Sequence, residues 1–237
     1  MPGAMDLLDI IIGLVSIPLG ILAGHGAVRL FNRIPDGWYW EEGEIPEDQL
    51  KRKDQRLRDH PWIWFFSAFF LMAALKLGTE DWMFALPAFA AIWILIILIL
   101  ADIKTMILPD QLIALLALTG FGFIPYHEGI LPPVFGLLLG LIPMMLIYGI
   151  GRLVSKDEVM GFGDVKLMAA LGFILGPAGI LFTLAAGFLA SGIYYGTLLM
   201  MRKLRLRDEG PLGPFLAGAA ILYLLLYKDL HLILSVI

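Results

Sequence analysis

The sequence predicts an all-α polytopic membrane protein of about eight transmembrane helices, with a cytoplasmic loop or small subdomain after the first. Hydrophobic residues fill 59% of the 237 positions and charged residues only 16%, where soluble domains run near a quarter charged. Apolar runs close to the ~20 residues needed to cross a bilayer recur along the whole chain. The net charge of -4 gives no reason to expect a nucleic-acid partner. With no cysteine, disulfides and thiolate metal sites are excluded. The four histidines (His25, His60, His127, His231) are scattered without ligand spacing, so no metal site is expected.

The first apolar run, residues 7–31, lacks the basic segment that precedes a cleavable signal sequence, so it is expected to remain as a helix. Gly13, Gly20, Gly24 and Gly26 give it a small-residue face for close packing. Residues 36–60 are the one long polar stretch. They hold Trp38-Tyr39-Trp40, then Glu41, Glu42, Glu44, Glu47 and Asp48, then Lys51, Arg52, Lys53, Arg56 and Arg58. This segment is expected on the solvent side with its aromatic residues at the membrane interface. It divides the chain into a first helix (1–35), a charged loop (36–60) and a transmembrane domain (61–237).

Helices are predicted next over 62–77 and 82–101, separated by a polar turn at 78–81. The third helix ends in an unbroken apolar run, 92–101, so Asp102 emerges from hydrocarbon rather than from a wet surface. Pro109-Asp110 opens a fourth helix over 111–124, with Asp110 as its N-cap, a structural role preferred to a catalytic one. A fifth helix follows over 130–154. The sixth starts at Asp164 and is broken by Gly176-Pro177, and the seventh covers 178–201. A basic loop at 202–207 then leads to an eighth helix near Gly213-Pro214. The fourth and sixth are short for spanning ~30 Å at 1.5 Å per residue, which calls for tilt or for ends in a watered cavity.

With eight alternating helices, the loops after the first, third, fifth and seventh share one side. Of the 17 Lys and Arg, 15 lie in or beside those loops, the exceptions being Lys76 and Lys228. The positive-inside rule makes that side the cytoplasm and puts both termini outside. Asp102 and Asp164 then lie on the same, cytoplasmic, face.

Two aspartates at two helix ends, 62 residues apart, suggest a catalytic dyad. Peptide hydrolysis by a carboxylate pair needs one group ionised to take a proton from water and its neighbour protonated to polarise the scissile carbonyl. Close approach in a poorly solvated place supplies that asymmetry. In Gly161-Phe162-Gly163-Asp164, the two glycines are candidates for backbone approach by an extended substrate, being free to take positive φ; a turn and helix N-cap is the plainer reading of the same four residues. Lys104 and Lys166 each follow a candidate aspartate by two residues. Each is read as an interfacial lysine with its stem along apolar surface, or as a group that lowers the pKa of its neighbouring aspartate or holds a substrate carboxylate.

Three segments carry a resemblance to the bacterial type IV prepilin peptidases, the leader peptidases of pili and type II secretion. They are Ala101-Asp102-Ile103-Lys104-Thr105-Met106-Ile107-Leu108-Pro109-Asp110, Gly161-Phe162-Gly163-Asp164-Val165-Lys166-Leu167-Met168-Ala169-Ala170-Leu171-Gly172, and Gly210-Pro211-Leu212-Gly213-Pro214-Phe215-Leu216-Ala217. Their order and separation agree with that family over about residues 80–225. The resemblance implies that Asp102 and Asp164 are the catalytic pair of an aspartic endopeptidase in the bacterial inner membrane, needing no cofactor for proteolysis. It also implies that the partners are type IV prepilin or pseudopilin precursors with a basic leader. Many members carry a four-cysteine zinc site after the first helix, and this chain has no cysteine there. Some also methylate the new N-terminus with S-adenosylmethionine, an activity the sequence leaves open. The alternatives are an intramembrane protease of the presenilin kind and a transporter. Against the first, Asp102 follows alanine rather than tyrosine and Gly213-Pro214-Phe215-Leu216 replaces a Pro-Ala-Leu motif. Against the second, no internal repeat is evident and almost no charge lies deep in the helices.

Overall fold

The structure, a computed structural model, describes residues 7–39, 56–154, 160–204, 210–227 and 229. Much of the charged stretch (40–55), the end of the basic loop (205–207) and His231 lie outside the described residues, as do the expectations that fall on them. Within them the chain is all-helical, without strands. The helices are α1 (Leu7–Arg33), α2 (Asp59–Glu80), α3 (Trp82–Thr105), α4 (Asp110–Thr119), α5 (Leu131–Val154), α6 (Phe162–Met200) and α7 (Gly213–Leu225). Five of these, α1, α2, α3, α5 and α6, are long and apolar enough to cross a membrane by length and composition.

In lipid, helices gain little from hiding apolar surface from one another, so close van der Waals contact has to hold them together. The first two run antiparallel on that basis, Gly20 against Leu71 and Gly24 against Ser67. A Cβ at Gly20 would lie 2.7 Å from the Leu71 backbone. The Trp93 indole ties α3 to α1 by donating to the Ala23 carbonyl at 3.0 Å. Asp81 starts α3: its Oδ1 accepts from the backbone N–H groups of Met83 (3.0 Å) and Phe84 (3.2 Å), which are two of the donors a helix start leaves unpaired. At the core, Ile92, Leu95 and Leu98 of α3 and Leu167, Met168 and Leu171 of α6 are fully buried.

The fourth helix is shorter than its predicted span. Regular α-helix stops at Thr119, and residues Gly120–Tyr126 continue as 3-10 turns. Gly120, Gly122 and Pro125 explain the change, since each weakens an α-helix. The two glycines also let this tighter segment lie against Phe173 and Pro87.

The predicted sixth and seventh helices fall within α6, whose 39 residues would make a rod of about 58 Å at 1.5 Å per residue. The rod is broken at Gly176, where φ is 67° and ψ -174°. Positive φ favours glycine, and Pro177 brings no N–H to continue the ladder. The Ile174 carbonyl, freed by the break, instead meets the ring nitrogen Nε2 of His127 at 3.1 Å. The two arms, 162–175 and 177–200, fold back on each other. The Tyr195 hydroxyl donates to the Pro211 carbonyl at 2.9 Å, and Pro211 lies two residues before Gly213, whose neighbours include Asp164 on the first arm. Position 195 has therefore returned to the end at which α6 began. The fifth helix packs on both arms, Gly136 against Gly172 and Gly176, and Gly140 against Met168 and Ile180. The last helix runs antiparallel to the second arm, Leu216 meeting Gly187 and Tyr223 meeting Gly179.

Replacing Gly176 with alanine should lower stability by about 1–3 kcal/mol, because the new Cβ would hold a strained positive φ and would meet His127 Cε1 at 2.8 Å. The midpoint of unfolding in increasing denaturing detergent measures this. An unchanged midpoint would show that the reversal is fixed elsewhere.

Candidate active site

Asp102 lies in the last turn of α3 and is buried. That helix ends because Met106 takes a left-handed conformation (φ 54°, ψ 25°), its N–H bonding back to the Asp102 carbonyl at 2.9 Å. Asp164 stands in the first turn of α6 and is also buried. Gly161 caps that helix in an extended conformation, and the Asp164 N–H bonds to the Gly161 carbonyl at 3.2 Å.

The two carboxylates meet at a third element. A Cβ at Gly213, the start of α7, would lie 2.5 Å from Asp102 Oδ2 and 3.5 Å from Asp164 Oδ1. Those distances bring the two oxygens within about 6 Å of each other. One water bonded to both spans at most about that separation. The same two oxygens are buried and have no hydrogen-bond partner in the protein. Leaving such an atom unpaired costs about 1–3 kcal/mol, so the protein leaves both oxygens to be satisfied by a water or a substrate group.

Gly213 belongs to the third segment of resemblance, residues 210–217, whose place at the site is not evident from sequence. The signal available was the pair of glycines in Gly210-Pro211-Leu212-Gly213. What they approach lies more than a hundred residues away at Asp102, which no local pattern reveals.

The other candidate residues are placed differently from the expectation. Neither glycine of Gly161-Phe162-Gly163 needs positive φ. Gly161 has φ -67° and ψ 139°, values open to any residue, and Gly163 lies inside the helix. Gly163 is instead a packing position, where a Cβ would sit 3.0 Å from Leu108 Cβ. Gly161 is exposed, and a Cβ there would meet nothing nearer than Asp164 Oδ2 at 3.9 Å.

Asp110 is not an N-cap: Pro109 occupies that position, and Asp110 is the first helical residue with no capping bond from its side chain. Proline already presets the backbone at the helix entry. The Asp110 carboxylate instead pairs with Lys166, Oδ2 to Nζ at 2.6 Å. Lys166 also lies 5.1 Å over the Phe162 ring. Its charge is thus committed to Asp110 on α4 and not to the carboxylate two residues before it. Lys104 is exposed, as expected of an interfacial lysine. Among the described residues, no group of three or more His, Cys, Asp or Glu side chains could hold a metal ion.

Comparison with known proteins places this arrangement in a family. The profile of the type IV leader peptidase family matches residues 89–196, the span that carries both aspartates. The leader peptidase HopD of Escherichia coli is 34% identical over 130 residues, which cover 52% of this chain and 82% of that protein. The chain belongs to the type IV leader peptidase family. Similarity also extends to larger members. The prepilin leader peptidase/N-methyltransferases of Aeromonas salmonicida (strain A449) and Aeromonas hydrophila are 28% and 29% identical over 194 residues, 79% of this chain. The chain spans 64% of the length of these Aeromonas relatives. No solved structure matches it at a significant level.

Because Asp110 does not cap α4 and its ion pair is well exposed, Asp110→Asn should change stability by no more than about 1 kcal/mol. Unfolding in denaturing detergent checks this; a larger loss would mean that the Lys166 pair is a structural anchor.

Proposed function

We propose that this protein is a membrane aspartic endopeptidase that removes the basic leader of type IV pilin-like precursors at the cytoplasmic face of the inner membrane. The observation that carries the proposal is the convergence of Asp102 and Asp164 on Gly213, with one oxygen of each left buried and unpaired in a leader peptidase family member. The bias of 15 of 17 Lys and Arg toward the loops at the site's end supports the cytoplasmic orientation.

In this reading one aspartate, ionised, takes a proton from a water that attacks the scissile carbonyl. The other, protonated, donates toward that carbonyl oxygen. The tetrahedral intermediate collapses when the leaving amine takes up a proton from one aspartate while the other takes a proton from a hydroxyl of the diol, so the dyad returns to one shared proton. A precursor whose apolar helix lies in lipid and whose leader lies in water presents its scissile bond at the interface. That bond has to be extended, since a helix ties its carbonyls up in its own hydrogen bonds. A glycine before the bond weakens helix there by about 1 kcal/mol relative to alanine.

The two-activity name of the Aeromonas relatives raises methylation of the new N-terminus with S-adenosylmethionine. A groove of about 600 Å³ between α4, α5 and the first arm of α6 does not fit that compound. It is apolar, and its two charged side chains, Asp110 and Lys166, are spent on each other. No step of the proposed reaction passes through it.

Purified protein incubated with a pilin precursor should yield a shortened product, and mass analysis of its N-terminus reads cleavage and methylation separately. Asp102→Asn and Asp164→Asn should each abolish cleavage to a similar extent while the protein remains folded, since a dyad acts as a unit. Substantial activity in either variant would remove that residue from the mechanism.

The two glycines before Asp164 should separate in their effects. Gly163→Val should lower stability, because its side chain would crowd Leu108. Gly161→Val should leave stability unchanged yet reduce cleavage, because the added side chain would meet an incoming chain and, within the protein, only the edge of the Asp164 carboxylate. Full turnover by Gly161→Val would show that no substrate backbone approaches there.

A further inference from the structure

The clasp on the segment before α7 is the feature that the proposed reaction does not yet use. Tyr195, on the second arm of α6, donates its hydroxyl to the Pro211 carbonyl at 2.9 Å. Its ring lies so close to Gly210 that a Cβ there would sit 2.5 Å from the hydroxyl oxygen and 2.6 Å from ring carbons. Phe215 holds the ring from the other side of the segment, with centroids 5.7 Å apart and planes at 64°, and Tyr194 packs edge-on at 5.2 Å. Residues 210–213 are thereby gripped at Gly210 and Pro211 and delivered at Gly213 against both carboxylates.

Geometry makes this grip matter. Gly213 stands where an added Cβ would nearly touch Asp102 Oδ2, so a small drift of the segment changes the space between the two aspartates. Helix α7 cannot fix the position alone, because its first turn starts from Leu212, whose side chain makes no capping hydrogen bond. Proline at 211 and at 214 stiffens the segment but donates nothing to it. The Tyr195 hydroxyl makes the hydrogen bond by which the second arm of α6 holds it.

We infer that Tyr195 is a positioning residue of the candidate site, its hydroxyl pinning the Gly210–Gly213 segment so that the gap between Asp102 and Asp164 keeps its width. The inference rests on the peptidase reading for its kinetic consequence and on the structure alone for the pinning. Tyr195→Phe keeps the ring contacts and removes only the hydrogen bond. It should lower kcat about 2–10-fold, the worth of one such bond, with KM within about two-fold and the variant still fully folded at the assay temperature. Gly210→Ala, which pushes the tyrosine away from the opposite side, should reproduce the kcat loss.

The pinning is tested separately from cleavage. The chain has no cysteine, so Leu212→Cys supplies a single thiol on the segment. Adding Tyr195→Phe to that variant should raise its rate of maleimide labelling several-fold. An unchanged labelling rate overturns the inference whatever the kinetics show. Faster labelling with an unchanged kcat also overturns it, since the segment would then move without consequence for the site. A kcat loss no larger than the fraction of the variant unfolded at the assay temperature would mark Tyr195 as merely structural and would overturn it as well. If the unmodified protein cuts no precursor, the peptidase reading fails on its own, and the labelling comparison still decides whether the hydroxyl holds the segment.

Discussion

The reversal of the chain at Gly176 is the constraint on which the site depends, because it returns α6 to the end of the bundle at which it began. A straight helix would carry Tyr195 tens of ångströms from Asp164. Folded into two arms, α6 supplies Asp164 from its first turn and the tyrosine that grips residues 210–213 from near its last. The reversal is chemically local. Glycine alone sits easily at φ 67°, proline cannot continue the ladder, and His127 covers the carbonyl that the break exposes. Around it α5 lies against both arms, with glycines where their backbones come closest.

Against that packed frame, the two aspartates are a local cost. Each leaves a buried oxygen without a partner in the protein, whereas Asp81, the aspartate at the other end of α3, accepts from two backbone N–H groups. Buried polar atoms are usually paired, and exceptions call for an account. Here both unpaired oxygens face the same missing side chain at Gly213, so the cost is concentrated at one point of shared access. That pattern is what a site for water and a scissile carbonyl requires, whereas a structural ion pair would have brought a cation between them. The nearest lysine in sequence, Lys166, is held instead by Asp110 on α4.

Residues whose role follows from neighbours in sequence were legible. Asp102 at the end of an unbroken apolar run and Asp164 at the head of the next glycine-marked helix were both identifiable, as was the break at Gly176-Pro177. Asp110 was misread because aspartate at a helix entrance fits two roles equally. Capping is local, but the ion pair that it makes depends on a lysine 56 residues further on. The packing of Gly163 on Leu108 was not legible for a related reason, since a glycine that admits substrate and a glycine that admits Leu108 look alike in a sequence. The count of about eight helices rested on where apolar runs stop. In the structure four of those stretches are the two arms of the broken α6 and two short apolar helices, and length and composition alone qualify five helices as spans.

Composition and order by themselves determined that this is a helical membrane protein with two acidic groups at the ends of two of its helices. That much is written in runs of residues, because the bilayer fixes a length and a polarity that every spanning segment must meet. Tertiary structure alone decided that Gly213 forms the point where the carboxylates meet, that Lys166 turns to Asp110, and that Tyr195 reaches Pro211. These are contacts between segments far apart in the chain. They depend on how closely helix backbones approach and on the reversal at Gly176, and neither distance nor direction is encoded in the local pattern of any one segment.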